Sequence, residues 1–228
     1  VIIGCGDVIA SVLGSGGINH NQKITIIGTT CHNIIVKNNS KLPNNNSGLF
    51  FSSLNNTWLE TQINVAGTTN IDWVINNFYK STKIYDHKIK IIKKFELQFL
   101  KNKYSRSSII FLPYFNYGGS ISPFVNLNSK AEIFGILPHH NKFHLLSACY
   151  EGLALSIKDC YGNKIKKNDI LFLSGGASNS IILPQLISDA ICVKVKILDS
   201  NELGALGISY LISSYLNQCK VSDIINSK

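Results

Sequence analysis

The last third of the chain alternates strand-like and helix-like segments around a glycine pair, and this order constrains the fold more than any other feature. Residues 169–173 predict a buried strand that ends in Ser174-Gly175-Gly176-Ala177. Residues 181–190, 191–197 and 203–216 then predict a helix, a strand and a helix. Strands that alternate with helices are typical of α/β domains. The pattern therefore predicts an α/β fold.

The first two thirds of the chain fit the same architecture. Gly4-Cys5-Gly6-Asp7 predicts a turn, and a helix follows until the glycines at 14, 16 and 17. Strands are predicted at 23–30 and 32–37 around a Thr29-Thr30 tip, and near 50–54; a further strand is predicted at 109–114. Helical spacing is present at 70–78 and 142–160. With no internal repeat and no linker, the sequence predicts one α/β domain over residues 1–228.

Length and charge exclude some classes of protein and leave one open. A chain of 228 residues has the size of one large domain or two small ones, and its apolar runs are far shorter than the roughly 20 residues of a membrane span. We therefore expect no membrane segment. The formal charge of +9 raises nucleic acid as a partner. The lysines of the helix-like stretch 80–106 show no interleaved aromatics on a recognisable nucleic-acid module, which favours a solvated face and no nucleic-acid partner.

The cysteines and the N-terminal residues indicate in which cellular compartment the chain is expected. The six cysteines form no CxxC pair and have no histidine at metal-ligand spacing, which favours free thiols in a reducing cytoplasm. No basic segment followed by an apolar run addresses the chain for export. Methionine is absent, and the residues after Val1 are typical of the end of a strand. We expect the chain to be the C-terminal piece of a longer protein.

Two glycine turns and one aspartate are candidates for chemistry. Gly28-Thr29 lies between strands and Gly175-Gly176-Ala177 precedes a helix, and such turns offer backbone N–H groups to phosphate. Each is also an ordinary turn in many proteins. Asp7 precedes the first helix, where it is either an N-cap or a general base that takes a proton from a substrate hydroxyl. The histidines, among them His32, His139, His140 and His144, are spread along the chain with no nucleophile beside them.

Taken together, these segments resemble the C-terminal half of the FGGY carbohydrate kinases, which phosphorylate sugars and polyols. Six motifs occur in the order of the family. They are the turn and helix 4–14, the strand 24–30, the segment 59–73 with Ala66-Gly67-Thr68 that is similar to a nucleotide-side helix, the segments 111–114 and 134–152, the Ser174-Gly175-Gly176-Ala177 turn, and the helix 202–207. The resemblance covers nearly the whole chain and favours the general-base interpretation of Asp7.

The resemblance implies a ribonuclease H-like domain of the actin-like ATPase type, with a mixed sheet flanked by helices. Such a domain binds ATP with Mg²⁺ on one side of an interdomain cleft, and Asp7 matches the catalytic aspartate of the family. The implied nucleotide contacts are Gly28 and Thr29 at the phosphates, Gly67 beside them, and Gly176, Ala177 and Ser180 on the adenine and ribose side. No residue of this chain is implied as a metal ligand.

The departures from the family are equally informative. The N-terminal half, with the hairpin that positions Mg²⁺ and most sugar contacts, has no counterpart here, so we expect that half as a missing partner. Its absence would expose an apolar surface that favours association, for instance as a homodimer. Ile71 stands where some members carry a polar contact. The loop 116–120, Asn-Tyr-Gly-Gly-Ser, replaces a Glu-Arg pair and is more similar to the erythritol and L-xylulose kinase branch than to glycerol kinase.

Two functions remain open from the sequence. The first is the ATP-binding half of a sugar or polyol kinase that transfers the γ-phosphoryl group to a substrate hydroxyl. The second is an inactive fragment that retains nucleotide binding or a scaffold role. Retention of Asp7 favours descent from an active enzyme.

Overall fold

The computed structural model describes residues 4–42, 47–54, 56–79, 85–101, 108–198 and 202–227. Its strands are β1 (Lys23–Ile27), β2 (Cys31–Lys37), β3 (Leu49–Ser52), β4 (Trp58–Asn64), β5 (Ile110–Leu112), β6 (Glu132–Phe134), β7 (Ile170–Ser174) and β8 (Lys194–Ile197). Its helices are α1 (Asp7–Gly14), α2 (Thr69–Phe78), α3 (Tyr85–Lys101), α4 (Lys142–Tyr161), α5 (Leu183–Ile191), α6 (Leu203–Leu216) and α7 (Val221–Asn226). The interpretation of Val1 and the ends of the basic stretch 80–106 lie outside the described residues.

Six strands form one mixed sheet in the order β3-β4-β2-β1-β7-β8. The β1–β2, β2–β4 and β3–β4 pairs are antiparallel, whereas β1–β7 and β7–β8 are parallel. The parallel pairing arises because α4 connects the antiparallel part of the chain to β7, and α5 connects β7 to β8. Strands β5 and β6 form a separate antiparallel pair. The predicted α/β fold is confirmed.

Helices cover both faces of the sheet, so its central strands are buried on both sides. In β1, Ile24 packs with Val12 of α1, while Ile27 belongs to the core beneath the helices α2 to α5. The apolar side chains that alternate along β1 and β2 thus serve two different layers. Because β1 and β7 are parallel, their C-terminal ends lie side by side, and a glycine turn follows each of them.

Helix α1 packs against α6 at unusually close range. A Cβ atom added at Gly14 would lie 1.9 Å from the carbonyl oxygen of Leu203, and one added at Gly207 would lie 1.9 Å from that of Ala10. Only glycine permits such backbone contact between two helices. The glycines therefore fix α1, with Asp7 in its first turn, against α6.

Strand β4 corrects an expectation from the resemblance, because residues 59–64 do not belong to a nucleotide-side helix. They form the strand between β2 and β3, and the helix begins only at Thr69. The sequence did not predict this strand, because Glu60, Gln62 and Asn64 are polar residues of the kind normally found at the surface, although they are buried here. Glu60 is paired with Lys37 and Lys164, so its burial is compensated. The short elements β6 and α7 were also not predicted.

The predicted free thiols are confirmed. All six cysteines are free, and Cys31, Cys149 and Cys160 are buried in the core. Burial raises the pKa of the Cys31 and Cys149 thiols, so both stay protonated at neutral pH. Among the described residues, no helix has the length and apolar character needed to cross a membrane.

Candidate functional site

A cavity of about 410 Å³ opens between the sheet edge and helices α2, α3 and α5. Its walls combine apolar side chains with glycine turns and a few charged groups. They are formed by Gly28, Thr68, Ile71, Asp72, Lys88, Ile89, Ile92, Lys93, Glu96, Tyr150, Gly176, Ala177, Asn179, Ser180 and Leu183. Four residues that the sequence assigned to a nucleotide site therefore line one cavity, namely Gly28, Gly176, Ala177 and Ser180.

One end of this cavity is the tip of the β1–β2 hairpin. The N–H groups of Gly67 and Thr68 donate to the carbonyls of Thr29 (2.7 Å) and Gly28 (2.9 Å), which fastens the start of α2 to the tip. Gly28 itself donates to Thr30 (2.8 Å), so its N–H is not free, contrary to the expectation. Within the described part of the chain, the N–H groups of Thr29 and Thr30 have no hydrogen-bond acceptor. These two amides are the donors that the tip can offer to an anion.

Thr29 and Gly67 are not among the residues that line the cavity. The side chain of Thr29 is exposed. A Cβ atom on Gly67 would lie 2.6 Å from the carbonyl oxygen of Gly28, so Gly67 allows the close approach of α2 to the tip.

The second glycine turn continues β7 into the wall of the cavity. Gly175 has φ of +90°, and a Cβ atom there would lie 2.4 Å from the carbonyl oxygen of Ile27. Gly176, by contrast, faces open space, and a Cβ atom added there would have nothing within 4 Å. The two neighbours thus differ: the backbone requires glycine at position 175, whereas position 176 has room for a side chain.

Ser180 lies in the cavity wall, but its hydroxyl group is already engaged. It donates to Oε1 of Glu96 at 2.5 Å and accepts from the N–H of Leu183 at 3.0 Å. The latter contact satisfies an otherwise unpaired N–H at the start of α5. Ser180 therefore positions the first turn of α5 and has less freedom to contact a nucleotide than the resemblance implied.

Glu96 is the cavity residue that the sequence did not reveal. It lies on α3 with 3% of its surface exposed, and the hydroxyl of Tyr150 also approaches it at 3.5 Å. Burial, and then the charge of Glu96, raise the pKa of Tyr150 well above its usual value. The position could have been found, because Glu96 follows Ile92 by four residues and precedes Phe99 by three, on the buried side of α3.

Two lysines and two carboxylates lie among the apolar walls of the cavity. Lys88 on α3 forms an ion pair with Asp72 on α2, and Lys93 and Glu96 also line the wall. Ile71 and Leu183 add apolar surface. A cavity with apolar walls and a few charged groups can accept a ligand that has both an apolar and a polar part.

Asp7 lies outside this cavity, as an exposed residue at the start of α1. The N-cap is Gly6, so the N-cap interpretation of Asp7 is wrong. Its Oδ1 accepts from the N–H of Val8 at 2.8 Å. Burial lowers the pKa of His32, while the negative charge of Asp7 acts in the opposite direction. Nε2 of His32 also lies 3.2 Å from Oγ1 of Thr30. The charge of Asp7 therefore acts on a side chain that contacts the hairpin tip.

Three histidines come together at the start of α4. The ring centroids of His139 and His140 are 4.3 Å apart, and those of His140 and His144 are 5.3 Å apart. Nδ1 of His140 accepts from the N–H of Leu137, and Nδ1 of His144 accepts from that of Asn141. The described residues contain no group of three His, Cys, Asp or Glu side chains that could hold a metal ion.

Curated relatives are carbohydrate kinases. The chain is 26% identical over 155 residues to an erythritol kinase of Brucella abortus, covering 67% of this chain and 29% of that protein. It is 26% identical over 164 residues to a probable L-xylulose kinase of Haemophilus influenzae, covering 69% and 30%. The chain thus matches about a third of the length of these relatives. Their names agree with the erythritol and L-xylulose kinase branch that the residues predicted.

Solved structures agree on the fold. A ligand-bound xylulose kinase of Lactobacillus acidophilus superposes with a TM-score of 0.79 at 21% identity, over 98% of this chain and 44% of that one. A Plasmodium falciparum glycerol kinase with ADP gives 0.75 at 18% identity, over 99% and 45%. The domain has the ribonuclease H-like, actin-like ATPase fold that was predicted. Residues 24–214 match the C-terminal domain of one family, so the chain belongs to the FGGY family of carbohydrate kinases.

Proposed function

We propose that this chain is the ATP-binding half of a sugar or polyol kinase that transfers the γ-phosphoryl group of ATP to a substrate hydroxyl. The observation that carries the proposal is the cavity itself, which brings the hairpin tip and the Gly175-Gly176-Ala177 turn together from sequence positions far apart. We further propose that residues 1–228 form one domain of a two-sided cleft. The relatives, which are about three times the length of their matched segments, support this view.

ATP fits the residues of the cavity in a defined direction. The free amides of Thr29 and Thr30 and the ammonium group of Lys88 favour the triphosphate at the hairpin tip. The apolar walls between Ile71 and Leu183 favour the adenine ring. We propose Gly28, Thr29, Gly67, Gly176, Ala177 and Ser180 as the residues that form or support this nucleotide site.

Mg²⁺ is proposed to accompany ATP, bound to phosphate oxygens rather than to a cage of protein ligands. The described residues offer no three-ligand cluster, and the cavity carboxylate of Asp72 is paired with Lys88. Magnesium bound mainly by substrate phosphates is common in kinases. The ion supplies positive charge to the phosphoryl group when it is bound.

Asp7 is proposed as the general base. Its carboxylate is exposed, as it must be to meet a substrate outside this half, and its charge acts on His32 beside the hairpin tip. There it can accept the proton of the attacking hydroxyl while the oxygen forms its bond to phosphorus. The names of the relatives favour erythritol, L-xylulose or a related polyol or sugar as the substrate.

The remaining partner is the sugar-binding half, and the isolated chain should be inactive without it. Several exposed apolar side chains, including Ile110, Phe134 and Ile136 around the β5–β6 pair, are available to pack against another surface. Self-association of the isolated chain, for instance as a homodimer, is part of this proposal.

Titration with Mg-ATP tests the nucleotide site directly. We expect saturable binding by calorimetry and a loss of binding in Gly176→Asp, because this change adds a negative charge to the wall of a cavity that takes an anionic nucleotide, and Gly176 has space for the side chain. The matched control is Gly118→Asp, which places the same charge on an exposed loop. Tight duplex binding with steep salt dependence and no ATP binding would overturn the proposal in favour of a nucleic-acid partner.

A further inference from the structure

Glu96 is a buried carboxylate with spare hydrogen-bonding capacity. A carboxylate offers about four acceptor sites. Oε1 accepts from Ser180 at 2.5 Å and from Tyr150 at 3.5 Å, whereas Oε2 has only a long contact of 3.4 Å to the N–H of Ile181. Buried polar atoms are normally satisfied, and an underused carboxylate oxygen in a cavity wall calls for a donor from a ligand.

The charges around Glu96 determine which part of a nucleotide can lie beside it. Among the described residues no ion pair includes Glu96, so its negative charge is not neutralised by a lysine. A triphosphate is therefore repelled by the carboxylate of Glu96. It is favoured beside Lys88 and beside the amides of Thr29 and Thr30 at the hairpin tip. The nucleoside must then point toward Glu96.

We infer that Glu96 accepts a hydrogen bond from the nucleoside of the bound nucleotide and thereby selects which nucleotide binds. This inference rests on the proposed function, since it takes the cavity to be the nucleotide site. The donor is either the 6-amino group of adenine or a ribose hydroxyl. Both are neutral donors that a carboxylate accepts, whereas the 6-oxo group of hypoxanthine is an acceptor and would be repelled. Glu96 thus makes the site selective for a nucleotide with a donor at this point.

The surrounding residues hold Glu96 in position for this role. Ser180 and Tyr150 donate to Oε1 from two different elements, which fixes the carboxylate and leaves Oε2 as the more available oxygen. Because the hydroxyl of Ser180 is engaged by Glu96 and Leu183, it is Glu96 that supplies the free acceptor. Ser180 is therefore a positioning residue for Glu96.

Calorimetry with the Mg²⁺ complexes of ATP, ITP, 2′-deoxy-ATP and 3′-deoxy-ATP tests the inference in the unmodified chain. We expect at least one of the three analogues to bind roughly 10- to 100-fold more weakly than ATP, the range for a lost hydrogen bond to a charged group. Weak ITP binding identifies the 6-amino group as the donor, and a weak deoxynucleotide identifies the ribose. Equal affinity for all four nucleotides would overturn the inference.

Glu96→Gln then assigns the selectivity to this residue. Gln can keep the contact with Ser180 through its oxygen while its NH₂ group replaces Oε2. A preference over ITP should then disappear, and a preference over a deoxynucleotide should shrink, because the bond from a neutral amide to a hydroxyl is weaker than the bond to a carboxylate. The matched control is Glu132→Gln on exposed strand β6, which should keep the preference. A Glu96→Gln variant that retains the preference, or that weakens all four nucleotides equally, would show a merely structural role. If that variant does not fold, the analogue series and Glu96→Asp decide.

The two proposals fail in different ways. If the unmodified chain binds ATP but does not distinguish the analogues, only the role of Glu96 is lost. If it binds none of the four nucleotides, the proposed nucleotide site falls together with Glu96.

Discussion

The cavity beside the hairpin tip, which we propose as the nucleotide site, differs from the Asp7 region in how much of its surroundings this chain supplies. The cavity is lined by the hairpin tip, by the turn after β7 and by residues of α2, α3, α4 and α5, and its lining residues Glu96 and Tyr150 are buried. Asp7 instead stands exposed at the end of α1, with only the N–H of Val8 as a hydrogen-bond partner among the described residues. Among the described residues the cavity is thus surrounded by several elements, whereas the carboxylate of Asp7 is exposed.

The largest expected effect concerns Asp7 in a protein that also contains an N-terminal kinase half. In a fusion to the N-terminal half of an FGGY kinase, Asp7→Asn should reduce turnover by about 10² to 10⁴, the usual contribution of a general base. ATP affinity should stay unchanged, because Asp7 does not line the cavity. Steady-state assays and calorimetry measure the two quantities.

The control for that experiment is the unfused chain, which should release no ADP in response to sugar. Full turnover in the Asn variant of the fusion would remove Asp7 from the chemistry. Sugar-dependent ADP release by the unfused chain would contradict the view that its catalytic side is incomplete.

A second experiment compares the contributions of two neighbouring glycines, in the turn after β7, to the free energy of unfolding. Gly175→Ala should lower the free energy of unfolding by roughly 1–3 kcal/mol, because alanine at φ +90° is strained and its Cβ would meet the carbonyl of Ile27. Gly176→Ala has open space and should change stability by less than about 0.5 kcal/mol. Urea denaturation of both variants measures the difference, and equal losses would show that this turn is not built as described.

A weaker effect is expected from the electrostatic link between Asp7 and the hairpin tip. Burial lowers the pKa of His32 below the value of about 6.5 expected in the unfolded chain. Between the two pKa values the unfolded chain binds more protons, so the free energy of unfolding falls as the pH drops through this window and is restored above it. Asp7→Asn removes the negative charge that raises the pKa of His32, so this pKa should fall further.

NMR titration of the His32 ring in both forms of the protein measures this shift, and His32→Asn identifies its resonance and its share of the pH dependence. An unchanged titration in Asp7→Asn would mean that the carboxylate does not act on the tip. Asp7 and the cavity would then be separate features of the molecule.

The sequence predicted the fold more fully than the site, and particular residues show why. Helix α6 was predicted with the bounds that the structure gives, since its apolar residues and glycine turns are local signals. Strand β4 was missed because Glu60, Gln62 and Asn64 are polar, and only tertiary partners explain their burial. For Glu96, helical spacing indicates the buried side of α3, but its contact with Ser180, 84 positions away in the sequence, is visible only in the structure.

The glycine contact between α1 and α6 has a mechanical consequence. Because the backbones touch at Gly14 and Gly207, no side chain separates the two helices at these two points. Apolar side chains, among them Leu13 of α1 and Tyr210 of α6, pack beside the contacts. We expect a displacement of α6 to move α1, and Asp7 with it, because backbone groups this close together cannot approach further.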